Sequence, residues 1–158
     1  MAVTVRNAAG EVIDRQRQSV VVPKAEGVRL ALSTPVVFRA RSALELRSLS
    51  SPAAPVFAGR EFGRADRMRV RVMVYGSAAA GVPVTATLLG SRGAKLTDLP
   101  ITLADLPIES NRAAASGEHH YEIDLPLLSV GFGDYLIRIA AGTGDARAEM
   151  LVPFRVVR

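Results

Sequence analysis

The chain has no cysteine, no tryptophan, few aromatic residues and only two lysines, Lys24 and Lys95. Each absence removes a class of protein. Without cysteine there is no disulfide framework and no thiolate metal site. An extracytoplasmic home stays open, because 158 residues can build a core that needs no staples. Aromatics make up 5% of the residues against a hydrophobic share of 49%, so the core must be mostly Val, Leu, Ile and Ala. That aliphatic bias favours strands. No apolar run approaches the roughly 20 residues that a membrane helix needs. Residues 1–20 lack the basic start, apolar middle and small-residue cleavage site of a signal peptide. Any export signal is expected to have been removed or to lie upstream in a longer chain.

The charge that is present is basic, 20 Lys and Arg against 15 Asp and Glu, and it is interspersed rather than gathered in a tail. An excess of arginine raises the question of nucleic acid. Recognition of bases wants stacking aromatics or base-reading groups, and Tyr75 is the single aromatic beside the densest arginine stretch. Nucleic acid is therefore not an expected partner.

Hydrophobic alternation organises the rest. Leu125-Pro-Leu-Leu-Ser-Val-Gly-Phe-Gly-Asp-Tyr-Leu-Ile-Arg-Ile139 reads as a strand end, a glycine-bounded corner and a strand opening on Tyr135. Antiparallel sandwiches cross between sheets this way, with the corner tyrosine returning its hydroxyl to nearby backbone. Gly133 and Tyr135 are the fold-defining residues of that corner. Arg67–Tyr75 is the clearest strand, with Met68, Val70, Val72 and Val74 on one face and Arg67, Arg69 and Arg71 on the other. The segment from Val82 to Leu89 alternates too and is expected to pair back on it as a hairpin. Gly90–Gly93 and Gly142–Asp145 read as turns, and Pro100 and Pro107 break the extended stretch between Leu96 and Leu106. Ser42-Ala-Leu-Glu45 has the spacing of a helix capping box. It predicts a short helix from Ala43 to Leu49, with Leu44 and Leu49 covering one end of the sandwich. Asn111–Gly117 reads as a loop.

Strands recurring every 8 to 12 residues between Gly and Pro turns indicate a sandwich. The expected fold class is all-β, an antiparallel immunoglobulin-like β-sandwich with an N-terminal β-hairpin and one short crossover helix. The expected division is a hairpin over 1–22, a strand, helix and loop connection over 23–63, and the immunoglobulin-like unit over 64–158. The hairpin turns at Asn7–Gly10, and its return strand is expected from Val12 to Val22.

The stretches STPVVFRARSALELRSL, GREFGRADRMRVRVMVYG, YEIDLPLLSVGFGDYLIRIAA and MLVPFRV resemble the C-terminal β-sandwich region of acidobacterial proteins carrying a von Willebrand factor A-related domain. VTVRNAAGEVIDRQRQSVVVP resembles the last two strands of the sandwich that precedes it. The resemblance implies an extracytoplasmic multidomain protein, periplasmic, secreted or at the cell surface, whose terminal module is immunoglobulin-like. That family's A domain carries an Asp-x-Ser-x-Ser metal-adhesion motif, and no such motif occurs in this sequence.

Three places carry enough chemistry to weigh. His119 and His120 stand among Glu118, Glu122 and Asp124. Adjacent strand residues point to opposite faces, so His120, Glu122 and Asp124 share one and His119 does not. Zinc wants three or four converging ligands, and a polar outward face is the plainer reading; no metal and no cofactor is expected. Arg67, Arg69 and Arg71 are the concentrated charge. Either they form a face for an anionic partner or glycan, or they pair with acids such as Glu122 and Asp124 on a neighbouring strand. The hairpin over 1–22 is marginal by itself. It either docks within the chain or adds a strand to the edge of another copy, and its polar stretch from Arg15 to Ser19 can equally guard against such pairing. No Gly-x-Ser-x-Gly, no Ser, His and acid set and no phosphate-binding loop occurs, and Gly131-Phe-Gly133 is a corner. No catalytic residue is expected. The expected partners are other protein domains or further copies of the chain, not small molecules.

Overall fold

A two-residue period writes the strands. Met68, Val70, Val72 and Val74 are buried while Arg67, Arg69, Arg71 and Met73 between them are only half-buried, which is the pattern of a strand with one face on a core. The computed structural model describes residues 2–6, 9, 11–17, 27–51, 53–104 and 118–158, with backbone alone for 2–6 and 12–17. The strands among the described residues are β1 (Ala2–Arg6), β2 (Val12–Arg17), β3 (Ala31–Leu32), β4 (Val36–Ala40), β5 (Glu61–Gly63), β6 (Arg67–Tyr75), β7 (Val84–Gly90), β8 (Lys95–Leu99), β9 (Ile101–Leu103), β10 (His119–Pro126), β11 (Gly133–Thr143) and β12 (Ala146–Val157). Among the described residues one α-helix, α1 (Ala43–Ser48), follows β4.

Two five-stranded sheets face each other. In the first, β4 and β3 share one edge of β6, followed by β10 and β9. In the second the order is β5, β12, β11, β7, β8, with β5 parallel to β12. β4, β6, β10 and β9 thus run in the A, B, E, D order and β12, β11 and β7 in the G, F, C order, so the chain is an all-β sandwich of immunoglobulin-like topology. The facing sides close one aliphatic core around Val70, Val72, Ile123, Ile137, Ile139 and Val152, with Phe62 and Phe154 at one end. Each such side chain contributes about 1.5–3 kcal/mol on leaving water.

The stretch 23–63 does more than connect. Its described part supplies β3 and β4 to the first sheet and β5 to the second, and α1 lies on the crossover between them. Of the alternating stretch Val28–Leu32, only Ala31 and Leu32 join a ladder. Val28 and Arg29 instead accept from Ser77 and Ala78 N–H groups at 3.1 and 2.8 Å. A Cβ on Gly76 (φ 123°) would lie 2.6 Å from the Arg29 carbonyl oxygen, so that close approach requires glycine. β7 does not return on β6 as expected. Both edges of β6 are already taken, by β10 on one side and by β3 and β4 on the other, and β7 crosses to pair with β11. Pro100, with no N–H for a ladder, stands where the chain passes from β8 in one sheet to β9 in the other.

The helix forms as the capping spacing predicts. Ser42 Oγ accepts from Glu45 N–H at 3.1 Å, and Glu45 Oε2 accepts from Arg41 N–H at 2.7 Å. Leu49 is buried, but Leu44 is 78% exposed, correcting the expectation that both cover the sandwich. Leu46 and Leu49, three apart, share the face that meets Phe38 and Ala40, and Leu44 points away from it.

β1 and β2 form a two-stranded antiparallel sheet by themselves, pairing Ala2 with Arg17 and Val5 with Asp14. Among the described residues no ladder joins this hairpin to either large sheet. The remainder of the expected return strand to Val22 and the Asn111–Gly117 loop lie outside the described residues.

Candidate functional site

The arginine face of β6 meets the acidic face of β10. Antiparallel register sets Glu122 opposite Arg71, Asp124 opposite Arg69 and Pro126 opposite Arg67. Arg71 Nε donates to Glu122 Oε1 at 2.9 Å, and its Nη2 donates to the same oxygen and to the Leu49 carbonyl at 3.0 Å. Arg69 bridges both acids, with Nη2 3.3 Å from Asp124 Oδ2 and Nη1 3.6 Å from Glu122 Oε2. Arg67 Nε reaches Asp124 Oδ1 at 3.3 Å. This is the cross-strand pairing that the alternation anticipates.

A cap covers the ladder. β4 sets Phe38 beside Arg69, and Phe38, Ala40 and Leu49 bury one another with Leu46 and Val36 around them. The Arg71 guanidinium lies 4.9 Å from the Phe38 ring centroid, within cation–π range. The side chains of Arg71 and Arg69 are 11% and 13% exposed, and Arg67 is 42% exposed. Arg69 Nε is buried without a hydrogen-bond partner. The ladder is thus a largely covered, half-buried ionic layer under an apolar cap, most open at its Arg67 and Asp124 end. The sequence pattern shows the pairing but not the cap, because Phe38 and Leu49 reach the ladder only through the packing of β4 and α1.

The histidines do not join this layer. His119 and His120 begin β10 opposite Val74 and Met73, and the His120 carbonyl accepts from Ala104 N–H at 2.8 Å. Glu122 and Asp124, which share a face with His120, are held by the arginines. Among the described residues no group of three or more His, Cys, Asp or Glu side chains is placed to hold a metal.

At the corner, Tyr135 donates its hydroxyl to the Gly131 carbonyl at 3.1 Å, and its ring stacks on Phe154 at 5.5 Å between centroids. Gly133 turns there with φ 146°. Sequence reading missed Asp66 nearby. This buried carboxylate accepts from Gly63 N–H at 2.9 Å and lies 3.7 Å from Arg41 Nε, pinning the turn that starts β6. The signal was there in Gly63-Arg-Ala-Asp66, a turn with an acid at its close.

An open depression of about 510 Å³ lies on the outer face of the second sheet, lined by Arg60, Glu61, Asp134, Leu136, Pro153 and Arg155 among others. Arg155 grips Asp134 with two hydrogen bonds, 2.6 and 3.2 Å. That contact holds the Asp134 carboxyl below the ordinary carboxylate range and raises Arg155. The two charges satisfy each other.

β12 has a partly open edge among the described residues. β12 is paired with β11 along its length, but on its other side β5 covers only Arg155–Val157. Inward-facing Val152, Phe154 and Val156 are buried, whereas Ala148 and Met150 are not fully covered. No protein-family model and no curated protein matches the chain.

Proposed function

We propose that the chain is a non-catalytic structural or protein-interaction module of a secreted or cell-surface bacterial protein, and that it associates by strand addition. The observation that carries this reading is the hairpin β1–β2, which forms a two-stranded sheet of its own, with no ladder to either large sheet and a partly open β12 edge among the described residues. Two strands alone are marginal in water, so such a hairpin is stabilised by a partner sheet, and main-chain hydrogen bonds supply the affinity. The bacterial, extracytoplasmic setting follows from the resemblance of the stretches quoted above. The ionic face of β6 supports this reading over anion binding, since Arg69 and Arg71 already hold Glu122 and Asp124 under an apolar cap. Light scattering on the full chain over a range of concentration and salt tests the proposal. Association that persists in high salt is the expected result. Association that disappears as salt rises returns the reading to charged surfaces.

A further inference from the structure

We propose that the corner between β10 and β11 is a contact for an anionic lipid surface, with Leu128 and Phe132 entering the headgroup layer and Arg64 meeting lipid phosphate. The local sequence puts these side chains outside. In Leu127-Leu-Ser-Val130 the first and last residues are buried core anchors. The 3-10 turn between them, closed by the Val130 N–H on the Leu127 carbonyl at 3.0 Å, leaves Leu128 facing out. Phe132 stands between Gly131 and Gly133, which have no side chains to cover its ring. Leu128 is 71% exposed and Phe132 53%. Arg64 touches both: its Nη2 donates to the Leu128 carbonyl at 2.8 Å, and its guanidinium lies 5.4 Å from the Phe132 ring centroid. Single apolar residues scattered over a surface are ordinary, whereas these two share one tip and one guanidinium.

Shape and charge select the occupant. Leu128 and Phe132 project rather than line a groove: the neighbouring hollow of about 260 Å³ is walled by Ser129, Val130, Gly131 and Tyr135, and both stand outside it. Arginines ring the base of the tip. Arg41 and Arg67 are 64% and 42% exposed, and the parallel pairing of Val157 with Gly63 sets exposed Arg158 beside Arg64. The acids at this end are already engaged. Asp66 is buried and accepts from the Gly63 N–H, Asp124 is held by Arg67 and Arg69, and Asp134 is held by Arg155. Among the described residues neither Arg64 nor Arg158 has a carboxylate partner. Apolar atoms at a tip with cations at its base match the order of a bilayer interface, acyl boundary first and phosphates above it. Gly27, Ala104 and Glu118, which border the stretches outside the described residues, lie toward the other end of the sandwich, near Ser77 and His120.

The test is co-sedimentation of the full chain with vesicles of phosphatidylcholine alone and of phosphatidylcholine mixed with phosphatidylglycerol. The expected result is binding to the mixed vesicles that weakens as salt rises. Leu128→Ser and Phe132→Ser should each weaken it about tenfold, the order expected when an apolar side chain no longer leaves water, and Arg64→Gln about fivefold. These exposed positions leave the core untouched, and far-UV circular dichroism confirms that each variant is folded. The chain has no tryptophan, so Phe132→Trp places a single reporter at the tip. Its emission should shift to the blue with mixed vesicles and stay unshifted with phosphatidylcholine alone. A wild type that stays in the supernatant with both vesicles overturns the proposal, as does binding that survives Leu128→Ser and Phe132→Ser. Equal binding to the two vesicle types overturns the anionic surface as the ligand. Loss of self-association in Phe132→Ser, with no vesicle binding by the wild type, assigns the tip to a protein partner and overturns the lipid one. The strand-addition reading is judged separately, by light scattering without vesicles.

Discussion

Replacing Glu122 with glutamine takes one negative charge from between two guanidinium groups. A charge pair near 4 Å at an effective dielectric constant of 20 is worth roughly 4 kcal/mol, which sets a ceiling. Removing one partner of a fully buried pair costs about 3–5 kcal/mol, and an exposed pair contributes about 0–1 kcal/mol. Glu122 and Arg71 are 17% and 11% exposed, near the buried limit. Glutamine keeps one acceptor oxygen for Arg71, so the expected loss is about 2–3 kcal/mol. For a chain of this size that lowers Tm by roughly 5–10 °C. Urea unfolding followed by circular dichroism measures it, with the slope against denaturant unchanged. Arg67→Met at the open end should cost less than about 1 kcal/mol. The double variant Arg71→Leu with Glu122→Leu should recover most of the single-site loss, because an apolar pair under Phe38 removes both desolvation penalties. The reasoning is refuted if Glu122→Gln stays within about 0.5 kcal/mol of wild type, which is the behaviour of a solvated face.

Leu49→Ala should cost about 2–5 kcal/mol, because Leu49 is 2% exposed under the helix, while Leu44→Ala at 78% exposure should change unfolding midpoints hardly at all. Tyr135→Phe keeps the stack on Phe154 but loses the hydrogen bond to Gly131, and thermal melts should show a loss of about 0.5–1.5 kcal/mol. Asp134 is held low by Arg155 and Asp98 by Lys95. A carboxyl lowered on folding stabilises the fold above its unfolded value and loses that contribution as pH falls through the folded one. Stability should therefore drop on the acid side, below about pH 4, and Asp134→Asn should flatten that drop while leaving the slope at neutral pH unchanged.

Local rules made much of this protein legible without coordinates. Alternation in Arg67–Tyr75 defines both faces of β6, because strand side chains must point in opposite directions in turn. The Ser42 to Glu45 spacing defines a helix start, and the Gly131–Tyr135 corner defines a crossing, since each is completed by bonds between residues a few positions apart. Even the Arg69 and Arg71 pairing with Glu122 and Asp124 follows once two strands are taken as neighbours. Tertiary structure alone decided which strands those neighbours are. β7 leaves β6 for β11 because the edges of β6 were filled by β4 and β10, segments distant in sequence. The cap of Phe38 and Leu49 that partly covers this charged strand face is likewise non-local. So is the partly open edge of β12 among the described residues, since which strands flank an edge is decided by segments distant in sequence.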